Sequence, residues 1–175
     1  GLSASTLTAL VLAGVFACLL WWGYFDRPLP ALEHRHGQHE DGFARGRFAR
    51  DVYTYLHTPV VGGLVMCAAA LEEITLHPTD PPDTPFRWLL VGGLGLHLLG
   101  VGGAVLRAFR VAAVERAVGA VVVLLAVVLL RDADGLVVLA AVDVVLLLML
   151  VVEHRRIEVH ERTVRLGRSR AATQQ

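Results

Sequence analysis

The segment YTYLHTPVVGGLVMCAAAL, Tyr53–Leu71, indicates both the fold class and a candidate site, because it is apolar enough to enter a membrane yet begins with polar groups. Two tyrosines, a histidine and a proline stand within its first seven residues. Apolar residues make up 55% of the whole chain, above the roughly 45–50% typical of soluble domains. They are collected into blocks of about 20 residues, the length that spans a ~30 Å hydrocarbon core.

These blocks predict an all-α, polytopic membrane bundle with five transmembrane helices. In lipid, only helices and closed barrels satisfy the backbone hydrogen bonds, and the blocks lack the alternating pattern of barrel strands. The five-helix domain takes up residues 1–153, and residues 154–175 form a basic cytoplasmic tail. The predicted helices are, in chain order, residues 7–24, 52–71, 88–106, 111–130 and 136–152.

The distribution of arginine predicts the orientation of the bundle. Five arginines lie between the first two blocks and six lie in the tail, whereas residues 72–87 hold one, at their last position. Cytoplasmic loops carry an excess of basic residues, so we expect the N-terminus outside and the C-terminus inside, in a multi-pass protein of the cell membrane. The lipid bilayer is thus the first partner. The tail either remains solvated or binds anionic headgroups. The 16 acidic residues balance the 16 basic ones, so nothing indicates a nucleic acid partner.

Two stretches together resemble a known family. LLWWGYFDRP, Leu19–Pro28, and RDVYTYLHTPVVGGLV, Arg50–Val65, are similar to sequence in the second half of the low temperature requirement protein A family. ALEEITLHP and LLVGGLGLHLLG are similar to the segments that come next in those proteins. The resemblance implies a bacterial inner-membrane protein named for a role in growth at low temperature, whose biochemical activity is itself poorly defined.

Members of that family are longer and begin with a half that bears a Glu-Leu-Phe-Phe-Asp-Leu type motif, which does not occur here. The chain also starts with Gly1, which suggests a fragment or a processed product. We therefore expect the helices to need a missing N-terminal half or an oligomeric partner. If that half also has five helices, the two halves would form an inverted repeat, which is common in transporters.

Ionisable residues inside the predicted helices are the candidates for function, because a charge at the bilayer centre costs about 2.5–3.5 kcal/mol on insertion scales and usually faces the bundle interior. Tyr53 and His57 share a helix face, and Glu115 lies at a similar depth. Pro59 removes a backbone hydrogen bond and bends the helix. We expect a hydrated polar pocket of Tyr53, Tyr55, His57 and Glu115, with Asp26, Arg107 and Arg116 at its cytoplasmic rim. Alternatively, the tyrosines form an interfacial aromatic belt and His57 has a structural role.

His97 and Asp143 form a deeper layer. Asp143 stands alone within LVVLAAVDVVLLLML, so we expect it to be paired or neutral. His97 is the expected partner, and such a pair could relay protons or simply fasten helices. On the outer side Glu72 and Glu73 end the second helix, where a solvated helix end is favoured. Glu72 is the one expected to turn inward, at an outer rim.

The leading hypothesis is a transporter-like or solute-sensing module built around these polar residues, and the alternative is a structural or lipid-interacting bundle without transport. An enzyme is not expected, because no nucleophile–base pair and no nucleotide, hydrolase or zinc motif occurs. The segment EHRHGQHED could bind a metal loosely through His34, His36 and His39, but an ordinary polar loop is favoured. No metal or cofactor is therefore predicted.

Overall fold

The computed structural model describes residues 3–26, 28–37, 41–109 and 113–172, with side chains up to residue 156. These ranges are helical and contain no strand, which confirms the all-α prediction. A single π-helical turn, Asp51–Tyr55, precedes α4. The α-helices are α1 Ala4–Phe25, α2 Pro28–Gly37, α3 Gly42–Arg50, α4 His57–Leu76, α5 Thr84–Phe109, α6 Val114–Leu129 and α7 Gly135–Ala172.

Within these ranges, four helical stretches are long and apolar enough to cross a membrane: Ala4–Gly37, Gly42–Leu76, Thr84–Phe109 and Gly135–Arg156. The bundle is therefore that of a membrane protein, as predicted. Helix α6 has 16 residues and packs against its neighbours α5 and α7. Residues 111 and 112 of the predicted fourth block are outside the described residues. A fifth crossing and the N-out, C-in orientation stay predictions.

Helices α4 and α5 pack backbone against backbone. A Cβ atom added at Gly93 would lie 2.6 Å from the carbonyl oxygen of Gly63 and 2.9 Å from the backbone nitrogen of Cys67. One added at Gly63 would overlap the Gly93 carbonyl oxygen, and one at Gly100 would lie 2.7 Å from the Val60 side chain. Small residues allow helices to approach this closely in membranes. Of the adjacent glycines Gly62 and Gly63, Gly63 is therefore the one that makes the helix contact.

The main core lies where α1, α6 and α7 close over this helix pair. Its buried side chains come from all five long helices and include Phe16, Cys67, Leu94, Val123 and Leu139. On α7 the buried positions recur every three or four residues, from Gly135 to Leu150, which is the spacing of one helix face. One face of α7 is therefore directed into the bundle along most of its apolar length.

The segment between the first two predicted spans forms two short helices, α2 and α3, where the sequence predicted a polar loop. Asp41 caps α3, because its carboxylate accepts hydrogen bonds from the backbone N–H groups of Phe43 and Ala44 at 3.1 and 3.2 Å. Leu32 and Phe48 are 1% exposed and form a second core with residues of α5 and of the π-helical turn. Residues 38–40, including His39, lie outside the described part.

The Gly63–Gly93 contact yields a direct test of the fold. Replacing Gly63 with alanine forces a Cβ atom into the α5 backbone, and overpacking of this kind costs about 1–3 kcal/mol. We expect Gly63→Ala to lower the free energy of unfolding in mixed detergent micelles by that amount.

Gly62→Ala is the matched control, since nothing lies within 4 Å of a Cβ atom added there. It should leave the stability unchanged or raise it by up to about 1 kcal/mol, the helix preference of alanine over glycine. Equal effects of the two substitutions would contradict the described packing.

Candidate functional site

A cavity of about 380 Å³ lies between α1 and α4, with α5 behind it. Tyr24 from α1, His57 from α4 and His97 from α5 are the main polar side chains among its described lining residues. The rest of the lining is largely apolar and includes Phe16, Leu20, Val61, Leu64 and Leu71. Ligand sites typically have volumes of about 300–1,000 Å³ and combine apolar walls with a few polar groups. We call this space the α1–α4 cavity.

The polar beginning of the segment Tyr53–Leu71 sets the position of His57. The N–H group of Leu56 donates to the carbonyl oxygen of Asp51 at 3.0 Å, five residues back, which closes a π-helical turn. Pro59 has no N–H group for the carbonyl of Tyr55, and it lies in the first turn of α4, where proline is tolerated. At the position of the predicted bend, the structure has a wide turn followed by a new helix start. Such turns are frequent at functional sites.

Tyr24 and His57 meet at the polar end of the α1–α4 cavity. The Tyr24 hydroxyl lies 3.5 Å from Nδ1 of His57, and the ring centroids are 5.9 Å apart. This separation is at the long end for a hydrogen bond, so both groups retain capacity for a further partner. Tyr24 was not among the residues predicted from the sequence. Its place in the LLWWGYFDRP motif was the available signal.

His97 lies deeper, against the contact between α4 and α5. It is 2% exposed, and a Cβ atom added at Gly63 would lie 2.8 Å from its backbone nitrogen. Its Nδ1 atom is buried without a hydrogen-bond partner among the described residues. A buried polar atom in this state has lost its water without replacement, which is unfavourable. His97 is thus a rigidly held side chain with one unused hydrogen-bonding position.

Two contacts expected from the sequence do not form. His57 lies against Tyr24, whereas Glu115 pairs with Arg156 of α7. Asp143 is 5% exposed, and both of its carboxylate oxygens lack a partner within the described ranges, so the expected pairing with His97 is absent. The sequence predicted how deep each residue lies along its helix, but not the direction in which its side chain points around the helix axis. That direction determines which of these side chains meet.

The other residues predicted near the membrane surfaces are more exposed. Tyr53 is 36% exposed and lies edge-on to His36, with ring centroids 6.1 Å apart, and Tyr55 is 63% exposed. At the opposite end Glu72 is exposed, so its expected inward turn was wrong. Glu73, one residue on, is half-buried and lies 3.3 Å from Nδ1 of His77.

At the predicted cytoplasmic rim, two acidic side chains contact basic groups from other helices. Arg107 of α5 donates from Nε and Nη2 to Asp51 at 3.1 and 3.0 Å, which fastens the π-helical turn to α5. Asp26 lies 3.6 Å from Nδ1 of His154 on α7. Two of the three predicted rim residues, Arg107 and Asp26, therefore connect separate helical elements.

Arg116 is buried, where the sequence placed it at a rim. It is 2% exposed; Nη2 donates to the Gly23 carbonyl oxygen at 2.7 Å, and Nε donates to Glu153 at 3.2 Å. One guanidinium group therefore joins α1, α6 and α7. Glu153 was missed because it follows the last apolar block, although it continues the spacing of the buried face of α7 beyond Leu150.

No group of three or more His, Cys, Asp or Glu side chains arranged to hold a metal ion occurs among the described residues. His34 and His36 lie within α2 rather than in a loop, and His39 falls outside the described part.

The Arg116–Glu153 ion pair should dominate the polar contribution to stability. Removing one member of a buried pair leaves the other charge uncompensated and costs about 3–5 kcal/mol, so Arg116→Met should reduce the free energy of unfolding strongly. Arg116→Met combined with Glu153→Leu should recover part of the loss. Arg156→Ala is the control, because its pair with Glu115 is more exposed and such pairs contribute up to about 1 kcal/mol. Equal losses in Arg116→Met and Arg156→Ala would refute this assignment.

Asp143 gives the opposite prediction. Because its carboxyl group is buried without a partner among the described residues, replacement by leucine removes an unsatisfied group that costs about 1–3 kcal/mol. We expect Asp143→Leu to be more stable than the native protein in the same unfolding measurement, with Asp143→Asn between them. A loss of stability in Asp143→Leu would mean that the carboxyl group is held by a partner in the membrane.

Comparison with known proteins identifies the family. The family model described as "Bacterial low temperature requirement A protein (LtrA)" matches residues 1–151. No curated protein and no solved structure matches the chain. The family match covers both motifs that carried the resemblance and the helices that form the α1–α4 cavity, so the chain belongs to the bacterial low temperature requirement A protein (LtrA) family.

Proposed function

We propose that this protein is a transporter-like membrane module that binds a small solute in the α1–α4 cavity. One observation carries the proposal: Tyr24, His57 and His97, from different helices, converge on one cavity of about 380 Å³ whose remaining walls are largely apolar. Binding sites between the helices of a bundle share this composition. The proposed role is binding and passage of the solute, without catalysis.

The packing of the helices suggests how such a site would open. The α4–α5 pair is held by direct backbone contact at Gly63 and Gly93. Helix α1 is held instead to α6 and α7, through the hydrogen bond from Arg116 to the Gly23 carbonyl and the Arg116–Glu153 pair. The cavity lies between these two units. Alternating access in many transporters is a movement of one helix unit against another around a fixed site, and we propose that α1 moves in this way together with α6 and α7.

The surroundings of the protein are part of the proposal. We propose residence in the cell membrane with the N-terminus outside and the C-terminus inside. Exposed apolar side chains of α1 and α6, such as Val11 at 65% and Val121 at 55%, provide contacts for lipid. They also provide a surface for a further half or a second subunit. Tyr53, Glu115 and Asp143 do not line the cavity, so their proposed roles are indirect.

A structural or lipid-interacting bundle is the second candidate, because most of the cavity wall is apolar and lipid chains could fill it. The two candidates differ in water access. A solute path requires water at the polar end of the cavity, whereas a lipid-filled groove is dry along its length.

Cysteine accessibility tests this difference. In a Cys18→Ser, Cys67→Ala background, Val61→Cys places a thiol in the cavity wall one turn from His57, and Val65→Cys places one on the same helix outside the lining. Because only a hydrated thiol ionises and reacts readily, we expect a membrane-impermeant cationic thiol reagent to modify Val61→Cys at least roughly tenfold faster than Val65→Cys. The measurement uses membrane vesicles of both orientations. Negligible modification of both positions from both sides would favour the structural bundle.

A further inference from the structure

We infer that the α1–α4 cavity takes a lipid-soluble amphipathic molecule with one neutral oxygen head group, a hydroxyl or a carbonyl, and one apolar tail. This inference rests on the proposed function and specifies the class of solute. It is supported by the one-ended arrangement of polar groups, by the lack of charge in the described lining, and by the opening of the cavity toward the apolar surface of the bundle.

The polar groups are concentrated toward one end of the cavity. His57 is the first residue of α4, and His97 packs beside Gly63, less than two turns further along. Beyond Leu64, the lining side chains from α4 are Cys67, Ala68 and Leu71. The distance from His57 to Leu71 corresponds to about 21 Å of helix at 1.5 Å per residue. A ligand that fills this space therefore has a polar end and an extended apolar remainder.

The head group is neutral because the described lining contains no Arg, Lys, Asp or Glu side chain. An ion placed in this wall would lose its water without gaining a counter-charge. The Tyr24 hydroxyl both donates and accepts, and a neutral imidazole offers one donor and one acceptor. Tyr24 and His57 therefore offer a ligand oxygen both donors and acceptors, and His97 lines the cavity beside them.

The ligand has access from the side. Trp21 and Val61 line the cavity and are 62% and 45% exposed, so the space opens between α1 and α4 at the surface of the bundle. That surface continues into the exposed apolar side chains of α1. The apolar tail of a molecule dissolved in the bilayer can therefore enter from the side, while its head group takes the polar end of the cavity at Tyr24 and His57, where the proposed function expects water.

Photocrosslinking in lipid nanodiscs tests the inference with three probes that share one diazirine-bearing sixteen-carbon chain. They are an alcohol, a carboxylate and an alkane without a head group. We expect the alcohol to label the peptide that contains residues 57–71. This labelling should saturate with probe concentration and decrease when unlabelled hexadecanol competes for the site. The carboxylate and the alkane should label it weakly and without saturation. Stronger saturable labelling by the carboxylate, or equal labelling by the alkane, would overturn the neutral head group.

Variants separate the head from the tail. Tyr24→Phe removes one hydroxyl and should weaken alcohol binding by about 2- to 10-fold, the value of one hydrogen bond. Ala68→Phe fills the tail end and should abolish saturable labelling. Val65→Phe, on the same helix outside the lining, is the matched control and should bind like the native protein. Unfolding curves show whether each variant is folded.

The outcome can be separated from that of the proposed function. If none of the three probes binds saturably but Val61→Cys still reacts with the water-soluble reagent, the solute class is wrong and a hydrated site remains. If neither binding nor reaction occurs, both proposals fail. Unchanged alcohol binding in both Tyr24→Phe and Ala68→Phe would place the ligand elsewhere and overturn the inference.

Discussion

The direct contact between the backbones of α4 and α5 is the constraint on which the rest of the structure depends. With Gly63 and Gly93 facing each other, the two helices approach more closely than any side chain would allow. The same line of contact continues to Gly100, where an added Cβ atom would lie 3.1 Å from the carbonyl oxygen of Leu56. Helix α5 therefore also packs closely against Leu56, the residue that closes the π-helical turn. The position of His57 therefore depends on this packing as well as on Pro59.

A second constraint holds the other side of the bundle, and it is electrostatic. Arg116 satisfies the Gly23 carbonyl at the end of α1 and the carboxylate of Glu153 on α7. Glu153 remains 19% exposed, whereas Arg116 is 2% exposed. Much of the desolvation therefore falls on the guanidinium group, whose charge is more diffuse and less strongly hydrated than that of an ammonium group. Asp143 has no such partner in the described ranges, so both of its carboxylate oxygens are buried without a hydrogen bond there.

The sequence predicted the features that depend on length and composition. It did not predict the side-chain contacts, which depend on the rotation of each helix about its axis. The apolar blocks at Leu7 and Trp88 marked helices because about 20 apolar residues are needed to span a membrane. The family resemblance was also correct. By contrast, Glu115 and Asp143 were assigned partners from depth alone, and both assignments failed. The helices α2 and α3 were missed because each has at most ten residues and adds a single side chain, Leu32 or Phe48, to the second core.

Side-chain size on α1 explains why the bundle contains a cavity beside its most tightly packed helix pair. Where α1 faces α4 it presents Phe16, Leu20 and Tyr24, with no glycine among the described lining residues. The end of α1 is meanwhile drawn toward α6 and α7, because Gly23 leaves room for Leu150 and offers its carbonyl to Arg116. Helix α1 therefore cannot approach α4 as closely as α5 does. The gap that remains is the α1–α4 cavity, and His57, the first residue of α4 after the π-helical turn, lines it.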